Sequence, residues 1–187
     1  LRERQRETLE QVVPHLLPRV QWLDSLPDEP FVGMILANEV LDALTIERFA
    51  IRGGEANALG VSSEFCRLQL AEVRAASRLV AAVRRIEADS GIALPDGYES
   101  EVCTGLAPWF ESIAYSLERG VLLFIDYGLS RREYYSAERT RGTLLCHFRH
   151  RFHEDALTRV GLQDITAWVD FTAVAEAAQG AGCEVAG

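Results

Sequence analysis

Lysine is absent from this 187-residue sequence, and all 19 basic residues are arginine. Lysine codons are AT-rich, so the absence marks a GC-rich, bacterial genome rather than a chemistry. No apolar run approaches the roughly 20 residues that a membrane span needs, and no basic-then-apolar signal segment opens the chain. A cytoplasmic compartment is therefore expected. The four cysteines, Cys66, Cys103, Cys146 and Cys183, lie far apart and form no C-x-x-C pair. Reduced, mostly buried thiols fit that spacing better than disulfides or zinc ligands. The formal net charge of -9 argues against broad nucleic-acid binding, which relies on a basic footprint, and favours a basic partner. Repeats, low-complexity tracts and an interdomain linker are also lacking, so one domain with a sizeable core is expected.

The stretch from Phe31 to Phe49 organises what is present. Phe31 to Ala37 is a continuous apolar run, read as a strand covered on both faces as parallel strands are. It stops at Asn38-Glu39, with Asp42 three residues on. A second apolar run, Val121 to Ile125, stops at Asp126-Tyr127-Gly128. Open α/β sheets bind ligands at the carboxyl ends of such strands, and adjacent strand ends form one crevice.

Around these strands, Leu9, Val12, Val13 and Leu16 predict an amphipathic helix ended by Pro18, and Val20 to Leu23 a short strand. Gly53-Gly54 predicts a hairpin over 46 to 62. Helices are predicted over about 67 to 87 and from Val102 to Leu117, the second with Glu101 at its opening and Gly120 as its stop. Ser130 to Arg141 reads as a solvated Arg/Tyr-rich loop, Gly142 to Phe148 and Ile165 to Phe171 as strands, and Thr172 to Gln179 as a short helix. Strands separated by long helices give an α/β fold with a parallel or mixed sheet, on which 46 to 100 is a hairpin and helical insertion. The chain starts inside a helical pattern and stops as a strand at Cys183 to Val185 begins, as a segment cut from a longer protein would.

If a helical turn starts at Asn38, Glu39 and Asp42 are i, i+3 neighbours able to converge on one cation; the structural alternative is an Asn cap with acids at a helix N-terminus. Asp126-Tyr127-Gly128 is either a ligand-facing acid or an ordinary turn. Cys146, His147, His150 and His153 do not match zinc spacing, and strand side chains diverge. Gly180-Ala181-Gly182 follows a helix and precedes a possible strand, the reverse of a phosphate-binding loop.

The blocks 37 to 49 (ANEVLDALTIERF), 120 to 128 (GVLLFIDYG), 141 to 155 (RGTLLCHFRHRFHED) and 162 to 182 (LQDITAWVDFTAVAEAAQGAG), in that order, resemble the MidA-type family of S-adenosyl-L-methionine (SAM)-dependent methyltransferases. Mitochondrial members of that family act in respiratory complex I assembly. The resemblance implies a Rossmann-like methyltransferase fold, here a partial mixed sheet with helices on both faces and the inserted hairpin region. It also implies SAM as donor and a protein arginine as acceptor. Asn38, Glu39 and Asp42 match the family's first acidic strand-end motif, and Asp126, Tyr127 and Gly128 its second. Thr45 stands where the family usually has proline, and Trp168 where histidine is common. The family's glycine-rich SAM loop would lie upstream of Leu1, so 1 to 187 would form only part of the domain.

On this resemblance Glu39 and Asp42 clamp the acceptor guanidinium, with Glu101 as a third arm. Asn38 contacts the donor, Trp22 lies near its adenine, and Asp126, Tyr127 and Gly128 bind substrate. Two rivals stand beside it: a non-catalytic assembly or binding module of the same fold, and a different α/β enzyme pairing Asp126 with His150.

Overall fold

The computed structural model describes residues 1–65 and 67–186. In chain order, α1 (Arg2–Val12) and a 3-10 helix (Pro14–Arg19) precede β1 (Phe31–Asn38), β2 (Glu47–Arg52), β3 (Glu55–Glu64), β4 (Arg67–Arg74) and α2 (Ser77–Ser90). Next come β5 (Glu99–Val102), α3 (Leu106–Tyr115), β6 (Leu117–Ile125), β7 (Gly128–Leu129) and α4 (Arg131–Tyr134). Finally there are β8 (Leu145–Phe148), β9 (Arg151–His153), β10 (Asp164–Thr166), β11 (Val169–Asp170) and α5 (Phe171–Gly180). The result is a mixed α/β fold. β1 pairs in parallel with β6, β7 in parallel with β11, and the remaining ladders are antiparallel.

The two apolar runs are thus neighbours, with Asn38 level with Ile125 at their carboxyl ends. One face of the pair packs on α3: Leu122 and Phe124 join Trp109 and Phe110 in a cluster with Leu41, Val169 and Ala177. The other face carries Val32, Met34, Leu36, Val121, Leu123 and Ile125, all exposed. Coverage on both faces, expected from the continuous hydrophobicity, is not found: among the described residues the helices cover one side of the pair.

The inserted sheet runs β4-β3-β2-β5. Gly53 and Gly54, with φ of 59° and 79°, supply the two left-handed residues that a tight two-residue hairpin turn requires. α2 lays Leu79, Val83 and Ile86 on this sheet against Phe49, Ile51 and Tyr98. Full burial of each such side chain stabilises by about 1.5–3 kcal/mol.

Several sequence expectations are corrected. Residues 67 to 74 are strand, not helix, because Leu68, Leu70 and the long β3 register favour a period of two; the helix starts at Ser77. Residues 99 to 102 extend the sheet beside β2, so Glu101 lies on a strand and α3 begins only at Leu106. Val20 to Leu23 and Cys183 to Val185 form no strand. The polar stretch after Ser130 is not simply a solvated loop. Ser130 and Glu133 form a capping box that opens α4, and Arg131, Tyr134 and Tyr135 are buried. Arg131 binds Asp89, Asp170 and Glu176 at once, tying α4 to α2 and α5. Cys103, Cys146 and Cys183 are free thiols, Cys146 buried and the others half-buried; Cys66 lies outside the described residues.

Gly120 is not a helix stop but a close approach within β6: a Cβ there would lie 1.8 Å from the carbonyl oxygen of Gly33 on β1. Gly120→Ala should therefore push the two parallel strands apart and destabilise the fold by roughly 1–3 kcal/mol or more. Urea denaturation of the two proteins side by side measures it, and an unchanged midpoint would contradict the tight register.

Candidate active site at the paired strand ends

The chain leaves β1 through a local backbone reversal. Glu39 has φ of 51°, a left-handed conformation that costs a non-glycine residue energy and clusters at functional sites. Its amide still donates to the Ile125 carbonyl at 2.9 Å, so the strained residue is anchored at the end of the ladder. Asn38 and Glu39 are both exposed. The helical turn expected from Asn38 does not form; a single turn closes instead at Leu44 N–H to Leu41 O.

What caps that turn comes from the other strand. Asp126 Oδ2 accepts the amides of Leu41 at 3.0 Å and Asp42 at 3.3 Å, and Oδ1 accepts the Tyr127 amide at 2.9 Å. Both carboxylate oxygens accept backbone amides, so Asp126 brackets the two strand ends. Gly128 also meets backbone closely: a Cβ would sit 2.0 Å from the Val169 carbonyl oxygen of β11.

Asp42 is 6% exposed. Its Oδ2 accepts the Tyr127 hydroxyl, while its Oδ1 is buried without a partner. Burial, followed by this hydrogen bond, pushes the Tyr127 phenol up to about 12. Glu39 and Asp42 therefore differ sharply, one open to solvent and one buried and bonded to the Tyr127 hydroxyl.

Glu101, expected as a third arm of the clamp, has no exposed surface. Its Oε1 accepts from Tyr134 Oη, Thr143 N and Thr143 Oγ1 at 2.8, 2.7 and 2.8 Å. Its Oε2 faces Gly142, where a Cβ would come within 2.2 Å. Trp22 belongs to a separate contact, donating to Gln5 and lying under the Arg6 guanidinium. His150 sits in the exposed turn between β8 and β9 with φ of 62°. Cys146 and His153 are cross-strand partners, but among the described residues no three His, Cys, Asp or Glu side chains gather as a metal site.

Sequence reasoning missed Thr143, Gly142, Tyr134 and the 166–169 segment. The one available signal was a threonine and a glycine opening an otherwise apolar strand.

A parallel strand pair with strained and acidic residues at its carboxyl ends defines an α/β protein of the ligand-binding class. The chain belongs to a methyltransferase family: the family model described as "Putative S-adenosyl-L-methionine-dependent methyltransferase" matches residues 1–187. Two crystal structures of COG1565 superfamily proteins from Burkholderia thailandensis are similar to it. One, bound to S-adenosyl-homocysteine, is 40% identical with a TM-score of 0.88 over 97% of this chain and 46% of its own. The other, a native structure, is 41% identical with a TM-score of 0.88 over 97% of this chain and 47% of its own. The chain thus spans about half the length of these relatives. No curated protein matches it.

The Tyr127–Asp42 hydrogen bond carries a testable sign. The phenol's folded-state value lies above the ordinary value near 10, through burial first and this bond second, so the stability linked to the neutral phenol is whole below about pH 10 and is lost as pH rises through about 12. Asp42→Asn should lower the Tyr127 value toward 10, read by NMR titration of labelled tyrosine; an unmoved value would mean that Asp42 does not hold the hydroxyl.

Proposed function

We propose that this chain supplies the acceptor-facing edge of a SAM-dependent methyltransferase site and that the acceptor is a protein arginine. The observation that carries the reading is Glu39, an exposed carboxylate held in left-handed backbone at the end of β1. Strain of this kind persists only where the surrounding structure holds it, and here the ladder bond to Ile125 does so.

An arginine side chain stays protonated in proteins. SAM, when bound, supplies a methyl group on a positively charged sulfur, so donor and acceptor repel. A carboxylate beside the guanidinium offsets that repulsion, and paired N–H···O bonds aim one nitrogen. Glu39 is placed to make the first contact. Asp42, with Oδ1 unpaired, adds negative charge from behind and is fixed by Tyr127. The exposed amide of Asn38 fits the donor side of the same strand end, and the net charge of -9 suits a basic protein substrate.

A second reading, a non-catalytic assembly or protein-binding module of the same fold, has one observation of its own. The six exposed apolar side chains on the open face of β1 and β6 form a surface suited to contact with another protein layer.

Glu39→Gln in the full chain should abolish methyl transfer while leaving SAM affinity largely unchanged, measured by a radiolabelled-methyl assay and titration calorimetry. Normal turnover would sink the clamp, and absence of turnover in the unaltered protein with intact cofactor binding would favour the binding module.

A further inference from the structure

Three consecutive amides, in the segment that joins β10 to β11, are each assigned to a different part of the molecule. Ala167 N–H donates to the Asp42 carbonyl at 3.2 Å, and Val169 N–H to the Tyr127 carbonyl at 3.1 Å. Trp168 N–H points the other way, as alternation along an extended chain dictates, and donates to Thr143 Oγ1 at 2.9 Å. That hydroxyl lies 2.8 Å from Glu101 Oε1, to which it can donate. The hydroxyl also lies 2.9 Å from Tyr134 Oη, which reaches the same Glu101 oxygen, so the chain runs from the Trp168 N–H through the Thr143 hydroxyl to the Glu101 carboxylate. Thr143 N–H and Tyr134 O–H complete the hold on the same oxygen, and the Tyr135 hydroxyl holds the Glu101 carbonyl at 3.0 Å.

We infer that Glu101 and Thr143 are positioning residues for the strand-end site, acting through residues 167–169 on Asp42 and Tyr127. A carboxylate is an acceptor only, so the protons of the Thr143 and Tyr134 hydroxyls are drawn toward it and a Thr143 lone pair is left for the Trp168 amide. Charge makes these bonds stronger than neutral ones. With its middle amide held by Thr143, and through it by Glu101 on β5, the 167–169 segment presents its two outer amides to the backbone of Asp42 and Tyr127. The insertion is thereby coupled to the paired strands, although no Glu101 atom reaches solvent. Gly142 belongs to the arrangement, since a side chain there would displace the Glu101 carboxylate.

The methyl-transfer part of this inference rests on the function proposed above; the structural part does not. Two readouts keep them apart. In the first, the Tyr127 phenol is titrated by NMR. Thr143→Val and Glu101→Gln should lower it from about 12 toward its ordinary value, because Asp42 shifts under it, while Thr143→Ser retains the hydroxyl and the value. An unchanged Tyr127 in both disruptive variants overturns the inference. Because the disruptive variants remove buried hydrogen bonds and can fail to fold, hydrogen exchange of the unaltered protein supplies a second check. The Trp168 amide should exchange as slowly as those of Ala167 and Val169, and fast exchange at Trp168 overturns the relay. In the second readout, methyl transfer by Glu101→Gln should fall roughly a hundredfold in kcat with acceptor KM little changed, as for a misplacement remote from the chemistry. A kcat fall in Thr143→Ser equal to that in Thr143→Val would overturn the role of the hydroxyl. Absence of transfer by the unaltered protein would overturn the proposed function and leave the titration result standing.

Discussion

The contact on which the rest of the site depends is the Asp126 carboxylate receiving the amides of Leu41 and Asp42. β1 and β6 are parallel, so their carboxyl ends lie side by side, but nothing in a ladder tells the chain how to leave it. Asp126 supplies that instruction. It satisfies two amides that the turn after β1 would otherwise leave unpaired, and so converts the ends of two strands into one rigid edge. Unpaired buried amides are costly, which gives this arrangement an energetic reason independent of any ligand.

From that bracket follows a division of labour among acids that composition cannot distinguish. Asp126 is consumed by backbone. Asp42 is buried beside it and shares a hydrogen bond with Tyr127. Glu39 alone of the three remains exposed, in a backbone conformation that the bracket and the Ile125 carbonyl enforce together. Glu101 stands apart in the inserted sheet, where three donors meet Oε1 while Oε2 is buried without a partner.

The paired strands, the Gly53-Gly54 hairpin, α2 and the helix after Asp170 were legible because each rests on local chemistry: apolar runs, two glycines in a turn, a 3.6-residue stripe, and an Asp whose side chain caps Ala173 N–H. Errors came where two periods competed. Leu68, Leu70 and Val73 belong to β4 although Val73, Ala76, Val80 and Val83 also trace a helical face. Glu101 looked like the start of a helix because β5 is only four residues long. The SAM-dependent methyltransferase part of the resemblance, carried by four ordered blocks, agrees with the family match over the whole chain.

The sequence by itself determined that two apolar strands end in acids and that those ends carry the interest of the chain. Only the tertiary structure decided which acid does what. Whether a carboxylate meets solvent, a backbone amide or a threonine hydroxyl depends on residues about 40 to 85 positions away, such as Asp126 for Leu41 or Thr143 for Glu101. Side-chain spacing encodes which residues share a face of one element; it does not encode which element will lie opposite.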